Sequence, residues 1–142
     1  SLAPSEMCIR DSINPKSQYI YVMDTFDFYN YAGRHGHQYD TIVIDPPSFA
    51  RNKKKTFSVQ KDYNLLIEGA LNILSPGGTL LLCTNSSAFS LKAFKNVIKK
   101  TLAQNNIEYE INEVMGLPKD FKTHPHYKPS KYLKAVFVTI KN

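Results

Sequence analysis

The chain reads as a single α/β domain: a largely parallel sheet with helices over both faces and an antiparallel strand pair added at one side. Three observations predict it. Ile42-Val43-Ile44 and Leu80-Leu81-Leu82 are short, continuous apolar runs of the kind buried on both faces of a parallel sheet. Between them Tyr63, Leu66, Ile67, Ala70, Leu71 and Leu74 recur at helical spacing. The last two strand-like runs, Ile107 to Met115 and Tyr132 to Ile140, follow one another with no helical pattern between them, which implies antiparallel pairing. A chain of 142 residues is long enough for one such domain and its core.

Taken in order, Tyr19-Ile-Tyr-Val-Met23 is a β-rich run ending at Asp24, and Phe26, Phe28, Tyr29 and Tyr31 suit a short aromatic helix. Gly33 to His37 reads as a turn. Tyr39 to Ile44 is the second strand and ends at Asp45. A basic loop leads to the helix around Tyr63 to Leu74, which Ser75-Pro-Gly-Gly78 closes. Thr79 to Thr84 is a buried strand ending at Asn85. Phe89, Phe94, Val97, Ile98 and Leu102 mark a further helix, closed by Asn105-Asn106. A loop containing His124 and His126 separates the last two strands; two histidines without a third ligand at suitable spacing read as an ordinary loop, and no metal is expected.

Eighteen Lys and Arg against twelve Asp and Glu give a formal charge of +6, which favours an anionic partner. No apolar stretch is long enough to cross a membrane. Cys8 and Cys83 are too few for a disulfide framework, so a reducing cytoplasm is the expected compartment. Residues 1–12 are set apart: Met7-Cys-Ile-Arg-Asp-Ser12 reads like the translated end of a transposon used in preparing sequencing libraries, and is expected to be non-native.

The chemistry concentrates at Asp45-Pro46-Pro47-Ser48-Phe49. An Asp at the carboxyl end of a parallel strand lies where ligands of open α/β sheets bind. Two prolines fix their own φ and hold the preceding residue extended, so the Asp45 carboxylate and nearby carbonyls form a rigid ledge rich in acceptors. Arg51, Lys53, Lys54 and Lys55 follow directly and suit backbone phosphates, as a solvated loop also would. Phe49 suits a platform for stacking an extruded base, or packing under the loop.

These pieces occur in an order that resembles class I S-adenosylmethionine-dependent methyltransferases. The resemblance is nearer to bacterial large-subunit ribosomal-RNA methyltransferases of the cytosine-C5 and guanine-N7 kind. The residues that carry it are Asp45 to Lys55, Phe57-Ser-Val-Gln-Lys-Asp-Tyr63, Pro76-Gly-Gly-Thr79, Thr84-Asn85 and Ser130-Lys-Tyr-Leu-Lys134. The resemblance implies a Rossmann-like three-layer sandwich, mostly parallel with an antiparallel last strand. It further implies that residues 13–142 are the C-terminal two-thirds of such a domain, without its first two strands and their glycine-rich cofactor turn. Gly33 and Gly36 follow an aromatic helix and do not supply that turn.

Carried over, the resemblance places Asp24, Thr25 and Phe26 with Asp45 at S-adenosyl-L-methionine, the Asp24 carboxylate beside the adenine. It places Asp45, Pro46, Pro47 and Asn85 at the reacting base, and Phe49, Arg51, Lys53 to Lys55 and Tyr63 on large-subunit ribosomal RNA. Family members that methylate cytosine C5 carry a cysteine where this chain has Asn85, so guanine N7 is favoured. Cys83, two residues earlier, reads as an apolar filler. The rival readings are a methyltransferase acting on exocyclic amino groups of DNA bases or on protein glutamine, and a non-enzymatic RNA-binding module.

Overall fold

The computed structural model describes residues 19–51, 56–87, 89–117 and 132–141, with the backbone alone at Arg51. In chain order they form helix α1 (Thr25–Arg34), strand β1 (Tyr39–Ile44), the short strands β2 (Phe49–Arg51) and β3 (Thr56–Ser58), and helix α2 (Val59–Leu71). Strand β4 (Leu74–Thr84), helix α3 (Leu91–Gln104) and strands β5 (Tyr109–Met115) and β6 (Lys134–Ile140) complete them. Among these helices none is long and apolar enough to cross a membrane.

The main sheet has the order β1-β4-β6-β5. β1 and β4 pair in parallel, while β6 runs antiparallel to both β4 and β5, so three of the four strands share one direction. The sequence placed the antiparallel addition at one side. The pair does lie there, but the last strand itself is internal: the crossover through α3 sets β5 one strand position away from β4, and β6 fills the gap. Its interior position shows in its alternation, with Val136, Val138 and Ile140 buried and the residues between them half-buried. β5 forms the outer edge, with exposed Glu113 facing β6 and an ion pair from Glu110 to Lys141 at 3.0 Å. Charge on an edge strand discourages further pairing.

Local signals set the helix boundaries. Asp24 caps α1, its Oδ1 accepting from Phe26 N at 2.9 Å, and Ser90 caps α3, its Oγ accepting from Ala93 N at 3.2 Å. At α2 the Asp62 carboxylate reaches back to accept from Ser58 N at 2.8 Å, a helix-start role. Helix α2 ends at Leu71, ahead of Ser75-Pro76-Gly77-Gly78, which instead bulges out of β4. The bulge shifts the β1–β4 register between Tyr39 and Thr41, and Gly77 takes a φ of 76° that only glycine adopts without strain.

One core cluster joins all three helices to one face of the sheet. Leu80, Leu82, Val136 and Val138 meet Ile67 from α2 and Phe94, Ile98 and Leu102 from α3, and Tyr29 and Ala32 bring in α1. Across the opposite face run Val43, Leu81 and Phe137 in register, beside Cys83 and Ala135. None of these is fully buried, and Val43 is 61% exposed. The expectation of helices on both faces is therefore met on one face among the described residues. The fold is Rossmann-like, with two of its three layers present in them.

Tyr19 to Met23 is not a strand. Val22 is 98% exposed, and no described strand lies on the outer edge of β1. High β-propensity is not sufficient where no neighbour pairs with the backbone. Amide hydrogens of Tyr19 to Met23 are expected to exchange at close to unfolded-chain rates while Leu80 to Leu82 stay protected; comparable protection of both in a monomer would contradict this.

Candidate active site

β1 and β4 end side by side at their carboxyl ends, with Ile44 opposite Leu82 in the last register pair. Beyond that pair the strands diverge into a fork. One arm is Asp45-Pro46-Pro47-Ser48 and the other is Thr84-Asn85-Ser86. A cleft of about 370 Å³ opens beside the first arm. Its floor is Asp45, Pro46 and Pro47 with Val43 and Ile44; its far wall is Asp24, Thr25, Phe26 and Tyr29 at the start of α1; Ala50, Phe57 and Leu66 close it. The sequence-derived cofactor residues Asp24, Thr25, Phe26 and Asp45 thus come together in one cleft.

The chemistry of that lining suits an adenosyl group in part. It offers two exposed carboxylates, from Asp24 and Asp45, and apolar surfaces from Phe26, Pro46 and Phe57 against which a flat ring system can lie. One Asp24 oxygen is engaged in capping α1, which fixes the carboxylate at the cleft rim. Tyr29 sits edge-on to Phe26, with ring centroids 6.3 Å apart, and burial pushes its phenol up to about 12, so it stays neutral. Among the described residues no Gly-rich turn faces the cleft to cradle the methionine and ribose portions. The adenine end of the cofactor fits the residues present.

Asn85 is exposed on the second arm, and Ser48 Oγ donates to its Oδ1 at 3.1 Å, linking the two arms across the mouth of the fork. Ser48 carried no signal as a single residue; only the fold brings it to a position 37 residues distant in sequence. Ser48 also accepts from Val59 N at 3.2 Å, pinning the base of the β2–β3 hairpin. The sequence read this segment as a loop. Ala50 and Phe57 pair on the hairpin face toward the cleft, so Phe49, paired with Ser58 and 62% exposed, lies on the other face, away from the cleft. Lys53, Lys54 and Lys55, and His124 and His126, lie outside the described residues, as does the Arg51 side chain. The described residues hold no cluster of three or more potential metal ligands.

Tyr63, which the resemblance places on substrate, is instead fully buried beneath the fork. Its hydroxyl donates toward Cys83 O at 2.8 Å and Ile44 O at 3.2 Å. Lys134 is a second group whose role the sequence left open. The residue is buried, and its ammonium donates to Ser86 O at 2.8 Å and Tyr132 O at 2.7 Å, tying the second arm to the start of β6. Burial pushes its pKa down.

Burial, and secondarily the negative charge of Asp45, pushes the Cys83 thiol up from its ordinary value. A raised pKa leaves less thiolate at neutral pH, and the thiolate is the nucleophile. In a Cys8→Ser background Cys83 is expected to react with a thiol reagent several-fold more slowly than free cysteine at pH 7.5, accelerating as the pH passes 9. Labelling as fast as free cysteine would contradict the assignment.

The fold and the cleft define a class I methyltransferase domain, and comparison with known proteins agrees. The sequence pattern of the family described as "S-adenosylmethionine-dependent methyltransferase" matches residues 22–138, and the chain belongs to that family. It is 43% identical over 119 residues to the "Putative ribosomal RNA large subunit methyltransferase YwbD" of Bacillus subtilis (strain 168), covering 84% of this chain and 30% of that protein. It is 35% identical over 91 residues to "Ribosomal RNA large subunit methyltransferase K/L" of Shewanella sp. (strain MR-4), covering 63% of this chain and 12% of that protein. Among solved structures, SMU.776, described as "a putative methyltransferase complexed with SAH", superposes with a TM-score of 0.85 at 36% identity, covering 94% of this chain and 34% of the other. The chain thus spans from 12% to 34% of the length of these relatives.

Proposed function

We propose that this chain is the C-terminal part of the catalytic domain of an S-adenosylmethionine-dependent RNA methyltransferase acting on large-subunit ribosomal RNA, with guanine N7 as the favoured target. The observation that carries the proposal is the fork itself: an acceptor-rich ledge at Asp45-Pro46-Pro47, an adenine-sized wall at Asp24 to Phe26, and Asn85 in place of a nucleophile opposite. The relatives' names, both of ribosomal-RNA large-subunit methyltransferases, support the substrate class.

When bound, S-adenosylmethionine supplies an electrophilic methyl group on a cationic sulfur. The chain's residues align and stabilise. Guanine N7 carries an in-plane lone pair, so a methyl donor held against this ledge would require alignment of the base alone, and no proton would have to be removed. The Asp45 carboxylate and the ledge carbonyls would stabilise the positive charge that such a donor carries and leaves on the base. Cytosine C5 methylation instead needs a thiolate adding to the ring and a base to remove the C5 proton. At this fork Asn85 offers an amide in that place, and the Cys83 thiol is held toward its neutral form. Lys53 to Lys55, which follow the ledge in sequence, are assigned to RNA phosphates.

The test is transfer of labelled methyl groups by the chain with its native upstream region restored, offered naked large-subunit ribosomal RNA, DNA and protein in parallel. Label in guanine of the RNA is the expected outcome. Label in DNA or in glutamine would move the reading to the exocyclic-amine and amide chemistries, and label in cytosine would return it to C5. Replacing Lys53, Lys54 and Lys55 with glutamine is expected to weaken RNA binding and lower its salt dependence by about 0.7 to 0.9 per lysine in contact with phosphate.

A further inference from the structure

The geometry points to Tyr63 and Ser48 as positioning residues that hold the two arms of the fork at a fixed separation, Tyr63 at its root and Ser48 at its mouth. The inference rests on the methyltransferase reading and extends it to residues that need not touch cofactor or base.

The root comes first. The parallel ladder between β1 and β4 closes at Ile44 and Leu82. Where the strands part, the Tyr63 hydroxyl stands between Ile44 O and Cys83 O, one carbonyl on each strand. A single O–H shared by two acceptors fixes both strand ends relative to one atom of α2. That atom is itself held: the Tyr63 ring is fully buried and packs edge-on against Phe94, with centroids 4.9 Å apart. Burial, with the nearby Cys83 and Asp45, raises the phenol far above its ordinary value, so the donor stays protonated at any working pH. Asp45 is the next residue after Ile44, and Asn85 lies two residues beyond Cys83, so a shift of either carbonyl is passed directly to both arms.

At the mouth, Ser48 donates to the Asn85 oxygen. The bond engages the amide oxygen, so the donor that Asn85 can offer a base is its NH2 group. That arrangement suits a base presenting an acceptor, such as O6 beside N7 of guanine. In-line methyl transfer depends on distance and angle, and small displacements of the ledges cost rate more than binding.

Both residues are tested in the chain with its native upstream region restored. Tyr63→Phe keeps the ring and removes both hydrogen bonds; the single-turnover rate of methyl transfer is expected to fall about tenfold or more while the Kd for S-adenosylmethionine changes by less than about threefold. Ile98→Val, a core change in α3 remote from the fork, controls for lost stability and is expected to leave the rate unchanged. Ser48→Ala cannot unfold the core, because Ser48 is exposed, and so tests the frame even if Tyr63→Phe fails to fold. It is expected to slow transfer several-fold in the unaltered protein and to add nothing in an Asn85→Ala background, since Ser48 acts through Asn85. Unchanged rates in Tyr63→Phe or in Ser48→Ala, or a Ser48→Ala effect that persists without Asn85, would overturn the inference while leaving the methyltransferase reading standing. Absence of cofactor binding and transfer in the unaltered protein would overturn both.

Discussion

Replacing Asp45 with alanine is expected to slow methyl transfer about a hundredfold in the chain with its native upstream region restored, with little loss of stability. Asp45 is exposed at the end of β1 and belongs to no part of the core, so truncating it falls in the class of surface changes worth within about 0.5 kcal/mol. Its chemical contribution is larger because the ledge is rigid. Pro46 and Pro47 leave the backbone little freedom to let another group take its place. Asp45→Asn keeps the shape and an acceptor oxygen but loses the charge, and is expected to fall between wild type and alanine. That ordering, read from single-turnover rates, separates electrostatic stabilisation of the migrating positive charge from simple packing. Equal rates in all three proteins would remove Asp45 from the site.

The second large effect is on stability. Gly69 lies on the face of α2 against the Tyr29 ring of α1, and a Cβ placed there would stand 2.6 Å from Tyr29 Cε2 and 3.0 Å from Cγ. Alanine normally strengthens a helix over glycine by up to about 1 kcal/mol. Here overpacking outweighs that gain, because the clash is with the ring of buried Tyr29 and not with the end of a flexible side chain, and Gly69→Ala is expected to destabilise by about 2 kcal/mol. Gly33 in α1 supplies the contrast: a Cβ there meets nothing within 4 Å, so Gly33→Ala is expected to be neutral or stabilising by up to about 1 kcal/mol. Denaturant midpoints of the two variants decide the matter, and a stabilised Gly69→Ala would contradict the packing of α1 on α2. Because Tyr29 and its neighbours wall the cleft, Gly69→Ala is also expected to weaken cofactor binding.

The elements legible in the sequence were those with a strong local period. The cores of β1 and β4 announced themselves as continuous branched runs, and α2 and α3 through apolar residues at helical spacing. What escaped was set by distant pairing. The last strand's place between β4 and β5 follows from the crossover through α3, which no local pattern encodes. The hairpin of β2 and β3 has strands of three residues, too short for an alternation to register. Tyr19 to Met23 carried the propensity of a strand, but propensity is weak without a partner.

The candidate site divides in the same way. Asp45-Pro46-Pro47 was legible because two prolines after a buried strand have a direct mechanical consequence. Asp24 to Phe26 followed from the family resemblance, and the cleft brings them to that ledge. Tyr63 was placed on substrate by the family resemblance, although its helical spacing with Leu66, Ile67 and Ala70 already put it on the apolar face of α2. Its acceptors, Ile44 O and Cys83 O, come together only when β1 and β4 lie side by side. Ser48 and Lys134 had no signal as single residues for the same reason: their partners are 37 and 48 residues away.

We propose that the cleft between α1 and the end of β1 receives the adenosyl group of the methyl donor. Calorimetric titration of S-adenosylmethionine into the chain with its native upstream region restored tests it most directly, alongside Asp24→Asn, which keeps the cap of α1 and removes the charge. Saturable binding by the restored protein, weakened in Asp24→Asn, is the predicted result. Absence of binding, or binding indifferent to Asp24, would contradict the claim.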